Sequence, residues 1–173
     1  MNLLILGGNS QRNKEWVHEV NSFVKDIFEN TIIHEYRHWG TDLDILDFDL
    51  ELDSITREAA EVGNYGVFAK SVGSLLSLTL ISRGSLKPKF CVFAGIALKL
   101  AREEGIDTES LFCSISCPVI IIQNDKDPVG GADEVIQLVK GIDNIEVIET
   151  RGNDHSYNDF NLIKNKLEKL LEV

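Results

Sequence analysis

The chain has 173 residues, 43% of them hydrophobic and 26% charged, which is the balance of a globular protein able to bury a core. Its formal net charge of −11, without a basic stripe, argues against nucleic acids and anionic membrane surfaces as partners. No apolar run approaches the roughly 20 residues of a membrane-spanning helix, and residues 1–6 lack the basic start of a signal peptide. We therefore expect a single domain over residues 1–173 and a cytoplasmic location.

In the first half of the chain, short apolar runs alternate with amphipathic segments. Strands are predicted at 3–6, 31–36 and 65–70, the second of them from β-branched residues at its start. Apolar residues at helical spacing predict a helix over 16–28, with Asn13 as its N-cap. An acidic segment at 42–53 leads into a second helix with apolar positions at 52–62, and a third helix covers 72–82.

The second half repeats this pattern. Strands are predicted at 90–93, 119–122 and 145–150, and helices at 98–103, 133–139 and 159–171. Strands this apolar are typical of a parallel sheet with helices on both faces. Right-handed crossovers then predict a three-layer α/β domain with a doubly wound sheet of about six parallel strands.

Ser71 lies at the carboxyl end of a predicted strand, where functional residues of such sheets collect. Its neighbours two positions away, Ala69 and Gly73, are small. A serine between strand and helix with small neighbours is typical of the nucleophile elbow, a strained turn that exposes a catalytic serine. The alternative is a serine that only caps the following helix.

A serine nucleophile needs a histidine base and a carboxylate that orients the base. Of the four histidines, only His155 lies just beyond the last predicted strand, and Asp127 follows the strand before it. The chain order Ser71, Asp127, His155 is that of α/β-hydrolases. Asp125 is an alternative acid, and we expect Asp154 to be structural because it adjoins His155.

Together these motifs resemble the α/β-hydrolase superfamily over nearly the whole chain. The resemblance points to its small, lidless members, including the retinoblastoma-binding-protein-like serine hydrolases. Two departures from the family pattern are Gly7, where many relatives have histidine, and Ala69, which replaces glycine. The matching segments are Gly7–Gly8, Tyr36-Arg37-His38-Trp39-Gly40, the turn at Ser71, Asp127-Pro128-Val129 and Asp154-His155-Ser156.

The resemblance implies a minimal α/β-hydrolase fold and a serine hydrolase with Ser71, Asp127 and His155 as its triad. It also places the oxyanion hole at the backbone N–H groups of Asn9 and Val72, the latter at a helix N-terminus. The implied substrate is a small ester or thioester, cleaved through an acyl-enzyme intermediate without a cofactor. An acyltransferase would use the same residues, and a non-catalytic binding protein on the same fold is a further alternative.

Other patterns suggest metal or dinucleotide chemistry. Residues 34–38 match the zinc motif HExxH, with Glu58 as a third ligand, but this motif needs a helix. In the strand that we predict there, residues four apart diverge by about 13 Å, although a helix would also suit the apolar residues nearby. The acidic segment lacks the mid-loop glycine of an EF-hand, and Gly7–Gly8 lacks the third glycine of a dinucleotide-binding turn. We expect no metal, and reduced thiols at Cys91, Cys113 and Cys117.

Overall fold

The computed structural model describes residues 1–42 and 46–172, so that part of the acidic segment, residues 43–45, lies outside the described residues. Six parallel strands in the described part of the chain form one sheet, which confirms the predicted fold class. They are β1 (Asn2–Leu6), β2 (Thr31–His34), β3 (Tyr65–Ser71), β4 (Cys91–Ile96), β5 (Val119–Asn124) and β6 (Ile145–Thr150). Their spatial order is β2-β1-β3-β4-β5-β6.

Helices cover both faces of the sheet. They are α1 (Asn13–Val24), α2 (Phe48–Val62), α3 (Val72–Ser82), α4 (Leu98–Glu103), α5 (Thr108–Cys113), α6 (Ala132–Leu138) and α7 (Phe160–Leu171), and a 3₁₀ turn at Lys25–Ile27 follows α1. Helix α1 packs on α7, whereas α2 and α5 pack on α3. Helix α5 was not predicted from the sequence. Within the described residues, no helix combines the length and apolarity needed to cross a bilayer.

The strand order has a switch point between β1 and β3. From β1 the chain moves outward to β2 and then returns to β3 on the other side of β1. Ligands of open α/β sheets bind at the carboxyl ends of strands beside such a switch point. In this chain, Gly7 follows β1 there and Ser71 ends β3.

Burial follows the apolar pattern of the sequence. Strands β4 and β5 are buried throughout, and β1 and β3 are buried except at one terminal residue each. The edge strands β2 and β6 are only partly buried. The central strands therefore form a rigid platform beneath their carboxyl ends.

Two local predictions require correction. Asn13 is the first residue of α1 rather than its N-cap, which is Arg12, because the Asn13 side chain is buried and accepts a hydrogen bond from Lys70. Strand β2 ends at His34 rather than residue 36, because the chain then turns so that Tyr36 reaches the end of β1.

Candidate active site

Ser71 occupies a strained turn between β3 and α3. Its backbone angles are φ 57° and ψ −122°, in a region that side-chain-bearing residues rarely adopt. The register with β4 shifts between Lys70 and Ser71, where the strand gives way to the helix. Ser71 stands at the N-cap position of α3, but its side chain makes no capping hydrogen bond. Its hydroxyl is therefore not committed to the helix, unlike that of an ordinary N-cap serine.

Gly73 lets α3 approach the end of β1 closely. A Cβ atom at this position would lie 2.6 Å from the carbonyl oxygen of Gly7 and 2.9 Å from the Cβ of Leu6. Both distances are shorter than real contacts of a Cβ atom, so no larger residue fits without moving the backbone of β1. The predicted need for a small residue two positions after Ser71 thus has a direct cause, the contact between helix and strand.

Asp127 and His155 meet above the ends of β5 and β6. The Nδ1 atom of His155 lies 2.7 Å from Oδ2 of Asp127, whose side chain is fully buried. The other oxygen of Asp127 accepts a hydrogen bond of 2.9 Å from the backbone N–H of Val129. A histidine that donates from Nδ1 in its neutral form carries a lone pair on Nε2, the atom that a general base requires.

Tyr157, which was not predicted from the sequence, completes the environment of Asp127. Its hydroxyl donates to Oδ2 of Asp127 and accepts from the backbone N–H of Asn124. Burial is the main cause that raises the pKa of Tyr157 above its ordinary value, so the phenol keeps its proton. Its backbone φ of 57° is the second positive value among the described non-glycine residues, after that of Ser71. A tyrosine two residues after a histidine is no recognisable signal, because its partner Asp127 lies 30 residues away.

His155 stands next to the strand end that carries Ser71. Ser71 pairs with Ile96 of β4, and the preceding residue, Gly95, has a φ of +65°. A Cβ atom on Gly95 would lie 2.8 Å from Cε1 of His155 and would also collide with the ring of Tyr157. Nε2 of His155 is buried and has no hydrogen-bond partner within the described residues, Ser71 included. Catalytic hydrogen bonds are often long in free enzymes and tighten when substrate binds.

The segment after β2 holds the loop that follows β1. The hydroxyl of Tyr36 donates to the carbonyl oxygen of Gly7 at 2.8 Å. The carbonyl oxygen of Asn9 accepts from Nε2 of His38 at 2.6 Å and from Nε1 of Trp39 at 3.3 Å. These contacts fix the Asn9 peptide in the loop whose Gly7 carbonyl lies against Gly73 of α3. The first N–H groups of α3 have no partner within the helix.

The two alternative carboxylates have different surroundings. Asp125 accepts a hydrogen bond of 2.8 Å from the backbone N–H of Gly152, and this bond lowers the pKa of its side chain. Asp154 accepts from the backbone N–H of Ser156, which lowers its pKa in the same way. Both carboxylates stabilise the loop around His155, whereas Asp127 contacts the imidazole itself.

The HExxH segment does not form a helix. His34 is the last residue of β2, and its ring nitrogens lie 2.8 Å from Oε2 of Glu51 and 2.9 Å from Oε2 of Glu58. His38 lies in the following turn and contacts the Asn9 carbonyl. Within residues 1–42 and 46–172, no group of three or more histidine, cysteine, aspartate or glutamate side chains is arranged to hold a metal ion. The strand predicted over 31–36, which contains His34, is confirmed for Thr31–His34.

Solved structures provide the comparison for this arrangement, since no family model and no curated protein sequence matches the chain. Est1E from Butyrivibrio proteoclasticus, solved with ferulic acid bound, superimposes with a TM-score of 0.80 at 13% identity, covering 99% of this chain and 90% of that one. An esterase from Pyrococcus furiosus superimposes with a TM-score of 0.77 at 15% identity, covering 99% of this chain and 80% of the esterase. Mouse alpha/beta hydrolase domain-containing protein 10 superimposes with a TM-score of 0.73 at 15% identity, covering 99% of this chain and 89% of the mouse protein.

At such low identity these likenesses establish the fold alone. The neighbours share the parallel sheet, and several of them are esterases or hydrolases. In this chain the connection from β4 to β5 contains only the short helices α4 and α5, which bury Leu98, Ala101 and Phe112 against the core. Over the residues that the structure describes, this chain therefore has the α/β-hydrolase fold in a small, lidless form.

Proposed function

We propose that this chain is a serine hydrolase that cleaves small carboxylic esters or thioesters. The observation that carries the proposal is the 2.7 Å contact between His155 Nδ1 and Asp127 Oδ2, which β4 separates from the strained turn at Ser71. Acyl transfer requires a buried carboxylate, an oriented imidazole and a serine whose hydroxyl is not engaged in capping a helix. The esterases among the structural neighbours support this class of reaction.

In the acylation step, Nε2 of His155 removes the proton of the Ser71 hydroxyl as Oγ bonds to the substrate carbonyl carbon. The imidazolium that forms is stabilised by Asp127. The tetrahedral intermediate then collapses: its bond to the leaving alkoxide or thiolate breaks, and the leaving group takes the proton from Nε2. The products are an acyl ester on Ser71 and a free alcohol or thiol.

Deacylation repeats these steps with water. Nε2 of His155 takes a proton from a water molecule as its oxygen attacks the acyl carbon. The second intermediate expels Oγ of Ser71, which recovers the proton from the imidazolium. A carboxylic acid leaves, and Ser71 and His155 return to their starting state.

The negative charge of both intermediates requires hydrogen-bond donors that are already in place. We assign this role to the backbone N–H groups of Val72 and Asn9. Val72 begins α3, so its N–H has no partner within the helix, and the positive end of the helix dipole adds to the effect. Asn9 is held by His38 and Trp39 through its carbonyl group. Donors of this kind contribute about 3–4 kcal/mol each to transition-state stabilisation.

A panel of 4-nitrophenyl esters and acyl thioesters, assayed with wild-type protein and Ser71→Ala, tests the proposal. We expect hydrolysis by the wild type and a loss on the order of 10⁴-fold or more in kcat for Ser71→Ala. Ser85→Ala is the matched control because Ser85 is exposed and lies beyond the opposite end of α3. Hydrolysis that persists at the wild-type rate in Ser71→Ala would contradict the proposal.

A further inference from the structure

A cavity of about 380 Å³ lies beside His155, at the carboxyl ends of β1 and β3. One wall is formed by the start of α1 and the loop before it, and another by the loop that carries His155. Its opening therefore adjoins the proposed catalytic base. Its lining includes Ser10, Arg12, Asn13, Lys70, His155 and Asn158.

Lys70, the residue before Ser71, is a buried cation in this cavity. Its side chain is only 6% exposed. Nζ donates a hydrogen bond of 3.0 Å to Oδ1 of Asn13 and lies 4.5 Å from the ring centroid of Trp16. Within the described residues Lys70 forms no ion pair, and a lysine ammonium has three donors. A buried charge without a carboxylate in direct contact is destabilising, so this amine favours an anion beside it.

The electrostatic surroundings of Lys70 are incompletely balanced. Burial lowers the pKa of Lys70 to about 8, while the carboxylates of Asp127 and Asp154 act in the opposite direction. Asp127 is already engaged with His155 and Tyr157, and Asp154 with Ser156. At neutral pH the amine is therefore still mostly protonated.

The remaining walls of the cavity add positive potential. Arg12 is exposed at its rim, and no ion pair of Arg12 occurs among the described residues. Helix α1 starts at the cavity, and its dipole adds a positive end there, although the backbone N–H groups of Asn13 and Lys14 already donate to the carbonyl oxygens of Ser10 and Gln11. None of the described lining residues is an aspartate or glutamate. The side chains of Lys70 and Arg12 therefore supply the formal charges of the cavity lining itself.

We propose that the cavity binds an anionic oxygen group of the substrate, a carboxylate or a phosphate, through Lys70 and Arg12. The proposal rests on the proposed hydrolase function and narrows its substrates to esters or thioesters that carry a negative charge close to the scissile carbonyl. Lys70 precedes the proposed nucleophile in the sequence and shares the cavity with His155, so a bound anion would also hold the acyl group near the catalytic residues.

Matched esters test this proposal. The pair is the 4-nitrophenyl monoester of glutaric acid and its neutral counterpart, in which a methyl ester replaces the free carboxylate. A third ester with a terminal phosphonate distinguishes a phosphate site from a carboxylate site. For the wild type we expect kcat/KM to be about tenfold or more higher for at least one anionic ester than for the neutral one, the usual scale of a charge-assisted hydrogen bond.

The variants locate the origin of that preference. Lys70→Met keeps the length of the stem and should reduce the ratio of anionic to neutral kcat/KM to about one. Arg12→Gln, at an exposed position, should reduce it severalfold, and Arg57→Gln on α2 in the opposite helical layer should leave it unchanged. The wild-type preference should also decrease as the pH rises through about 8, where Lys70 loses its proton. Because the same catalytic residues hydrolyse both esters, the ratio of the two kcat/KM values removes any effect of pH that the two reactions share.

Calorimetric titration with glutarate and with inorganic phosphate provides a readout that needs no turnover. We expect one of the two anions to bind the wild type and to bind Lys70→Met at least tenfold more weakly. The anion site alone would be overturned if hydrolysis depends on Ser71 but shows no preference for either anionic ester. It would also be overturned if the ratio of anionic to neutral kcat/KM is the same in Lys70→Met and Arg57→Gln. Hydrolysis that does not depend on Ser71 would instead overturn the proposed function. If no ester is cleaved, failure of both anions to bind would overturn the anion site.

Discussion

Individual contacts around Asp127 distinguish it from the neighbouring carboxylates. Its Oδ2 accepts from both His155 and Tyr157, and its Oδ1 accepts from Val129, so all of its contacts hold the carboxylate in one orientation. Asp125 is two residues away, but its carboxylate accepts a hydrogen bond from the backbone N–H of Gly152. The sequence placed both aspartates in one loop, and only the three-dimensional contacts separate their environments.

Asp127→Asn should reduce kcat on the order of 10⁴-fold, because an amide in this position favours the wrong tautomer of His155. Asp125→Asn, the matched control, should retain most of the activity since it removes only a loop hydrogen bond. Steady-state ester hydrolysis by the two purified variants is the measurement. A mild effect of Asp127→Asn combined with a severe effect of Asp125→Asn would show that the two roles are reversed.

Tyr157→Phe tests whether the hydroxyl of Tyr157 positions Asp127 for catalysis or only stabilises the fold. The change removes the hydroxyl bond to Asp127 and leaves the buried N–H of Asn124 without its partner, which costs about 1–3 kcal/mol of stability. We expect kcat to fall by about tenfold or more, with little change in KM, because the phenol does not contact substrate. Kinetics and thermal unfolding check both parts. Unchanged kcat in a destabilised variant would show a structural role only.

At the scale of strands and helices, the sequence predicted the architecture because burial leaves a clear pattern. The unbroken apolar run of β5 and the amphipathic spacing of α7 identify these elements without any knowledge of their partners. The contacts that complete the site were not predictable in this way. The hydrogen bond between Lys70 and Asn13 joins residues 57 positions apart, and the one between Tyr157 and Asp127 joins residues 30 positions apart. Neither pair follows a local periodicity. Helix α5 was missed because it buries one side chain, that of Phe112, and therefore shows no helical spacing, whereas the equally short α4 buries Leu98 and Ala101 three positions apart.

Gly73→Ala should disturb the junction of β1 and α3. Its added methyl group would meet the carbonyl oxygen of Gly7, so the loop that carries Asn9 must shift. We expect a loss of stability of about 1–3 kcal/mol, typical of overpacking, together with a lower kcat. Ala69→Gly, the complementary change two residues before Ser71, should lower stability by only about 0.5–1 kcal/mol. Denaturant unfolding and esterase assays test both; equal behaviour of the two variants would contradict this explanation of the close contact.

At the scale of the whole molecule, the described residues provide few apolar side chains around the proposed site. Helices α4 and α5 lie against the core instead of forming a cap, and the cavity beside His155 is lined mostly by polar residues. Long acyl chains would therefore remain largely in water when bound. Substrate selection should depend on charge and on the reactivity of the ester, with chain length as a minor factor.

Acyl chain length tests this absence of an enclosed channel. Burying one methylene contributes about 0.8 kcal/mol, so a tunnel would make kcat/KM rise steeply with each carbon. We expect little gain beyond a few carbons in a series of 4-nitrophenyl esters assayed below their micelle concentrations. An increase of about tenfold or more from butyryl to dodecanoyl would reveal a hidden apolar channel.

The central claim is that Ser71 is the nucleophile, and covalent labelling tests it most directly. A fluorophosphonate probe reacts with a serine whose hydroxyl is activated by a neighbouring base. Tryptic mass spectrometry of labelled wild-type protein should find the phosphonyl group on Ser71 alone, and labelling should disappear in Ser71→Ala while Ser85→Ala labels like the wild type. Labelling of another serine in the wild type, or equal labelling of Ser71→Ala, would contradict the assignment.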